Sequence, residues 1–123
     1  MRTAEALSLS AAIALTDCII KARIKKPLIT KNRGFARNRL DDHPQIVAAV
    51  SALLTAAVLK ETVSGKKNTF GYALILGGAL SNTYERIFKG YVTDYIKIGN
   101  MVYNISDFSI FAGTLAVILG FHS

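Results

Sequence analysis

The chain has 123 residues, which suits one domain, and we expect residues 1–123 to form a single unit. Hydrophobic residues make up 51% of the sequence, which excludes intrinsic disorder. Cys18 is the only cysteine, which excludes a disulfide scaffold, and the two histidines lie too far apart to offer zinc-ligand spacing. A compact helical soluble protein or a small integral membrane protein remains.

The distribution of charge favours the membrane protein. The net charge is +7, from 15 Lys and Arg against 8 Asp and Glu, and eight of the basic residues fall between Lys21 and Arg39. Such a surplus is typical of nucleic-acid-binding proteins and also of segments that flank a membrane and bind anionic lipid. Because the basic residues separate hydrophobic blocks, we expect membrane lipid rather than nucleic acid as the partner. A basic helical nucleic-acid binder, soluble without detergent, is the alternative.

Four apolar blocks predict four helices, at 4–20, 44–59, 70–80 and 108–121. A helix needs about 20 apolar residues to span a bilayer, and the third block reaches that length only if it continues toward Arg86. That extension would bring polar side chains to membrane depth, where they usually face a bundle interior and mark function. We therefore predict an all-α membrane protein with four short transmembrane helices.

The first block resembles a cleaved signal peptide only superficially. Arg2 precedes the apolar stretch, but no Ala-x-Ala cleavage pattern follows it. Asp17 stands directly before Cys18, where a lipoprotein cleavage box has a small residue. We expect this block to be retained as a helix.

The connections between the blocks differ in character. Residues 21–42 form a long basic segment with a turn signal at 32–34, and residues 61–69 predict a short polar turn. Residues 87–106 have no helical period, and 91–93 and 95–96 have strand character. We expect a small strand-like element outside the helical bundle.

Two carboxylates stand at positions that suggest chemistry. Asp94 follows the strand-like stretch, and Asp107 precedes the fourth block. If the third and fourth helices are antiparallel neighbours, both acids lie near the same membrane face. Two carboxylates at close range share a proton, so one acts as base and the other as acid, as in aspartic proteases. The alternative is structural: Ser106 or Asp107 caps the fourth helix, and Asp94 is an ordinary loop acid.

Four motifs resemble those of the bacterial signal peptidase II (lipoprotein signal peptidase) family. Residues 76–96, LGGALSNTYERIFKGYVTDYI, are similar to the family motif GGALGNxxDRxxxGxVxDF. Residues 103–113, YNISDFSIFAG, are similar to FNxADxxIxxG. Asp17 and Lys21 match D-x-x-x-K, and residues 32–36, NRGFA, are similar to NxGAAF. The motifs occur in the family's order.

The resemblance implies a membrane aspartic peptidase with four transmembrane helices. Such an enzyme removes the signal peptide of a prolipoprotein before a diacylglyceryl-modified cysteine, without a metal or organic cofactor. By this resemblance Asp94 and Asp107 would be the catalytic pair. The supporting or substrate-binding residues would be Asn32, Gly34, Asn82, Arg86, Asn104, Asp17 and Lys21. The implied partners are the lipid-modified substrate and membrane lipid, and we expect a monomer with several spans in the bacterial inner membrane.

Spacing alone gives the supporting residues less specific roles. Asp17 and Lys21 are four residues apart on one helix face and could form an ion pair at the membrane edge. Asn82 and Arg86 share a face in the same way. Arg86 could extend to the interface and Asn82 could form a polar contact between helices. Residues 32–36 alone would suggest only a turn.

The sequence departs from the family motifs at several positions. Ser81 replaces Gly, Glu85 replaces Asp, Tyr103 replaces Phe and Ser106 replaces Ala, and residues 33–36 lack the doubled alanine. None of these changes removes a catalytic carboxylate, so they indicate a divergent or minimal member. A catalytically idle homologue that binds lipopeptides or partner helices is the alternative function.

The charge balance conflicts with the orientation that the family implies. Both termini would be cytoplasmic and the active site would lie near the outer face. The eight basic residues of 21–39 would then be outside, and only Arg2, Lys60, Lys66 and Lys67 inside. The positive-inside rule predicts the reverse. We keep the family orientation as the expectation.

Overall fold

The computed structural model describes residues 1–25, 30–32 and 43–121. Within these ranges the chain forms four helices: α1 (Thr3–Arg23), α2 (Pro44–Ser64), α3 (Thr69–Phe88) and α4 (Ile105–Ile118). The prediction of four helices is confirmed. By length and composition α1 and α2 are able to cross a membrane, and α4 is a shorter apolar helix.

Three helix boundaries differ from the sequence prediction. Helix α2 continues through residues 61–64, which we expected in a turn, and ends where Gly65 adopts a left-handed φ of 62°. Helix α3 extends beyond residue 80 to Phe88, so its polar segment is helical. Helix α4 begins at Ile105, because Asn104 caps it, three residues before the apolar block.

Polar side chains fill the interior of the bundle and apolar ones cover its outside. Asp17, Thr62, Asn104 and Ser106 are completely buried, whereas Leu53 is 72% exposed. Large apolar side chains are also exposed on α1 and α4. This distribution is the reverse of that in a water-soluble protein and suits a bundle surrounded by lipid.

Helix α3 lies at the centre and packs against α1, α2 and α4. Its glycines allow this close approach. A Cβ at Gly77 would lie 3.0 Å from the carbonyl oxygen of Ser10 on α1, and one at Gly78 would collide with the carbonyl oxygen of Ser106 on α4. Farther along, Gly71 and Gly113 face each other. The order of these contacts makes α3 and α4 antiparallel neighbours.

Two small antiparallel sheets lie at one end of the bundle. Strand β1 (Thr30–Asn32) pairs with β2 (Val92–Asp94), with Thr30 opposite Asp94. Strands β3 (Ile96–Ile98) and β4 (Met101–Tyr103) form a hairpin. The expected strand character near 91–96 is confirmed, although β1 and β4 were not predicted. Asn32 ends β1, and the other residues of the turn expected at 32–34, including Gly34, lie outside the described residues.

The contact between α3 and α4 gives a first prediction. Replacing Gly78 by Ala should lower the free energy of unfolding by about 1–3 kcal/mol, because the new methyl group must push the helices apart. Thermal unfolding in detergent measures the loss. Leu80→Ala, which trims a side chain exposed on the same helix, should change the midpoint far less. Equal midpoints for the Gly78 variant and the parent would contradict this packing.

Candidate active site

The predicted site residues that the structure describes gather at one end of the bundle. The carboxyl ends of α1 and α3 and the amino ends of α2 and α4 meet there, beside both sheets. Asn82 lies six residues before the end of α3, which is about 9 Å at 1.5 Å per residue. The site is therefore set below the end of the bundle, among the helices.

Asn104 connects the two acids that the sequence singles out. Its side-chain Nδ2 donates to Asp94 Oδ1 at 3.0 Å, and its backbone N–H donates to Asp107 Oδ2 at 2.9 Å. Asn82 Nδ2 donates to the other oxygen of Asp107 at 3.2 Å, and Asn82 Oδ1 accepts from Asn104 at 3.1 Å. Both carboxylates therefore belong to one hydrogen-bonded cluster. Asp94 is buried and Asp107 is half-buried.

The start of α4 fixes the direction of Asp107. Asn104 is the N-cap, and its Oδ1 accepts from the backbone N–H of Asp107 at 2.9 Å. The alternative in which Ser106 or Asp107 is the N-cap of this helix is wrong, because Asn104 occupies that position. Ser106 Oγ donates to Asp17 instead. Asp107 Oδ2 accepts from the backbone N–H of Asn104, which completes a capping box.

Lys21 is buried between two carboxylates. Its ammonium lies 2.9 Å from Asp17 Oδ2 and 2.8 Å from Glu85 Oε1, and the three side chains are at most 3% exposed. Lys21 also donates to Asn82 Oδ1 at 2.9 Å. The pairing of Asp17 with Lys21 is as predicted, but it lies in the interior rather than at a membrane edge. The ion cluster of Asp17, Lys21 and Glu85 thus joins α1 to α3.

Glu85 was not among the predicted site residues. Its Oε1 accepts from the backbone N–H of Thr93 at 3.0 Å, and its Oε2 accepts from the Thr93 hydroxyl at 2.7 Å. These bonds hold β2 against α3, next to Asp94. The spacing Gly78, Asn82, Glu85 puts all three on one face of a helix, and that signal could have identified Glu85 from the sequence.

Tyr95 was also not among the predicted site residues. Its hydroxyl donates to Asp17 Oδ1 at 2.5 Å and accepts from the backbone N–H of Ile105 at 3.2 Å. Burial raises the pKa of the Tyr95 phenol above its ordinary value, and the hydrogen bond to Asp17 acts in the same direction. Tyr95 therefore stays a neutral donor at physiological pH.

Arg86 approaches the acids from the side of α2. Its Nη1 donates to the Ser51 hydroxyl at 3.0 Å, and its charge interacts with Asp107 and Asp94. Arg86 is half-buried, so it does not simply extend to the interface as one alternative proposed. Ser51 was not predicted, because a serine inside an apolar block carries no local signal of function.

A groove of about 240 Å³ lies between α2, α3 and α4. Apolar side chains, among them Leu54, Val58 and Ile110, line most of it. Asn82 and Arg86 stand among its lining residues. The groove therefore leads from an apolar surface to the polar cluster.

Two predicted site residues are not part of this geometry. Asn32 is placed only through its backbone, at the end of β1, and Gly34 lies outside the described residues. In the part of the chain that the structure describes, no group of three or more His, Cys, Asp or Glu side chains could hold a metal ion.

A family model described as "Signal peptidase (SPase) II" matches residues 9–122. The chain belongs to the signal peptidase II family. This match covers the ion cluster, the capping box and both acids, so all of them lie within the signal peptidase II homology.

Curated relatives carry the name lipoprotein signal peptidase. One from Francisella tularensis subsp. novicida is 41% identical over 78 residues, covering 59% of this chain and 47% of the relative. One from Serratia proteamaculans is 34% identical over 102 residues, covering 72% of this chain and 60% of the relative. The chain thus spans roughly half the length of the curated relatives that it matches.

Two solved structures share the fold of this signal peptidase II family member. One is a bacterial membrane enzyme determined by the in meso method at 2.3 Å resolution, with a TM-score of 0.78 at 16% identity, covering 94% of this chain and 86% of that chain. The other, at 1.9 Å, has a TM-score of 0.74 at 15% identity and covers 94% and 91%. The bundle therefore has the same fold as these two proteins.

The buried ion cluster gives a second prediction. Replacing Lys21 by Met should cost about 3–5 kcal/mol of stability, because Asp17 and Glu85 lose their shared counter-charge inside the bundle. Lys89→Met is the matched control, since Lys89 is 44% exposed and lies 3.4 Å from Glu85. Its loss should cost less than about 1 kcal/mol. Unfolding midpoints in detergent compare the two, and equal losses would refute the special role of Lys21.

Proposed function

We propose that this protein is an aspartic endopeptidase that removes signal peptides from prolipoproteins within the membrane. The observation that carries the proposal is the linkage of Asp94 and Asp107 through Asn104 at a polar end of the bundle. The names of the curated relatives support the substrate class.

In the proposed reaction, Asp94 and Asp107 share one proton. Two carboxylates held close together cannot both ionise without a large electrostatic cost. The ionised member takes a proton from water, which attacks the carbonyl carbon of the scissile peptide bond. The protonated member then gives its proton to the leaving amine. The pair returns to its starting protonation when the products leave.

The neighbouring polar groups support this assignment by holding and balancing the acids. Asn82 and Asn104 orient the carboxylates through the bonds described above, so a rotation of either carboxylate would break a hydrogen bond. Arg86 places a positive charge near both acids. In our proposal it stabilises the ionised member and the oxyanion that forms during attack. Asn32 and Gly34 remain predicted substrate-binding residues.

The groove beside α2 supports a substrate that arrives from the bilayer. Its walls are apolar along α2 and α4, and Asn82 and Arg86 line the same cavity. The hydrophobic segment of a signal peptide would lie against Leu54, Val58 and Ile110, with its cleavage site near the acids. The diacylglyceryl group of the modified cysteine would stay in lipid.

The cellular location and membrane orientation that we propose rest on the family resemblance. We place the protein in the bacterial inner membrane with several spans, its acids near the outer face and both ends cytoplasmic. The expectation of a monomer also remains a prediction. The idle-homologue alternative gains no support from the described residues, since both acids are present and hydrogen-bonded.

Substitution of either acid tests the reaction. Asp94→Asn and Asp107→Asn should each lower the cleavage rate of a diacylglyceryl-modified prolipoprotein by at least about a hundredfold, because the general acid–base pair is lost. A gel-shift assay in detergent measures cleavage. Glu61→Gln removes an exposed acid on α2 and should leave the rate unchanged. Substrate binding without cleavage by the folded parent chain would instead favour the idle homologue.

Filling the groove tests the proposed path of the substrate. Val58→Trp should raise KM about tenfold at nearly constant kcat, because the new ring occupies the binding surface and not the acids. Val63→Trp, on an exposed part of the same helix, is the control. The measurement is initial cleavage rate against lipopeptide concentration. An unchanged KM for the Val58 variant would exclude this groove.

A further inference from the structure

Three hydroxyl groups donate to the buried carboxylate of Asp17. Ser81 Oγ donates at 2.9 Å and Ser106 Oγ at 2.5 Å, both to Oδ2, while Tyr95 donates to Oδ1. The family motifs quoted above have Gly, Ala and Phe at these three positions, none of which carries a hydroxyl. Three departures of this chain from the motifs therefore converge on one carboxylate, although they come from three separate parts of the sequence.

Tyr95 differs from the two serines because its hydroxyl also accepts from a backbone N–H of α4. It accepts from the backbone N–H of Ile105 at 3.2 Å while it donates to Asp17. The first N–H groups of a helix have no partner within the helix, so an outside acceptor fixes the position of the first turn. Ile105 is the first residue of α4 and lies two residues before Asp107.

Tyr95 is also the residue after Asp94. Its backbone N–H donates to the carbonyl of Tyr103 at 2.8 Å, which joins the segment after β2 to the end of β4. Tyr95 thus follows Asp94 in the sequence, and its hydroxyl bonds to the first turn of α4, which carries Asp107. Asp17, fixed by Lys21, gives the hydroxyl a rigid anchor on α1.

We infer that the Tyr95 hydroxyl is a positioning group, which ties the first turn of α4 to the Asp17 carboxylate and so holds Asp107 in place relative to Asp94. Tyr95 does not touch the reacting atoms in this role. Its effect on catalysis rests on the proposed function, whereas its effect on the start of α4 does not.

The test compares two tyrosines in the full chain in detergent. Tyr95→Phe restores the motif residue and removes only the hydroxyl. Tyr103→Phe does the same at the other motif phenylalanine. Its ring stacks on Phe108 with centroids 5.7 Å apart, and no hydrogen bond of its hydroxyl is found among the described residues. The two readouts are the hydrogen-exchange rate of the Ile105 amide by NMR, and kcat and KM for a diacylated lipobox peptide.

For Tyr95→Phe we expect Ile105 exchange to accelerate about tenfold, because the amide loses its acceptor. The kcat should fall about tenfold with KM within about twofold, since the acids lose alignment while the groove is untouched. Tyr103→Phe should change neither value. Unchanged exchange in Tyr95→Phe would overturn the inference, and so would faster exchange with an unchanged kcat.

A second variant guards against a purely structural effect. Ser106→Ala removes a different hydroxyl from Asp17, and the double variant with Tyr95→Phe should lose less in kcat than the product of the single losses, because both act through one carboxylate. Independent losses would overturn the shared role. If the parent chain cleaves no lipopeptide, the proposed function fails, and the exchange of Ile105 alone decides whether Tyr95 anchors α4.

Discussion

The structure depends on how one ammonium group is buried. Lys21 lies inside a bundle whose outer surface is apolar, and it is stable there because Asp17 and Glu85 approach it from two helices. A charge without such partners would be very costly at this depth. The cluster therefore requires α1 and α3 to lie side by side in one register. Once that register is fixed, Glu85 holds β2 and Asp17 holds the start of α4.

The two acids are positioned from opposite sides by this arrangement. Asp94 ends a strand that Glu85 fastens to α3, and Asp107 begins a helix that Asn104 caps and Asp17 anchors. Asn104 then connects the two. Each acid is thus held by hydrogen bonds to regular elements of the bundle. This arrangement suits the reaction that we propose, in which the two acids share a proton and activate a water molecule.

Much of this could be predicted from the sequence, and the limits have physical causes. Helices follow from local apolar blocks, and Asp17 with Lys21 follows from a spacing of four residues. The partners of Asp17 on other elements are 64 to 89 residues away along the chain, so no local pattern connects them. Residues 61–64 are helical, although their polar composition predicted a turn. Composition does not separate the two cases, because the exposed end of a membrane helix is polar as well.

The spacing within α1 also bears on how the chain is inserted into a bilayer. Asp17 and Lys21 lie on the same helix, so α1 carries its own counter-charge before any later helix has been synthesised. The charge of Lys21 is therefore already balanced within α1. Glu85 finds its cation only on a helix made 64 residues earlier, so its ionised form favours assembly of α3 against α1 over dispersal in lipid. Because the chain is synthesised from its amino end, Lys21 is made before Glu85, the acid that pairs with it.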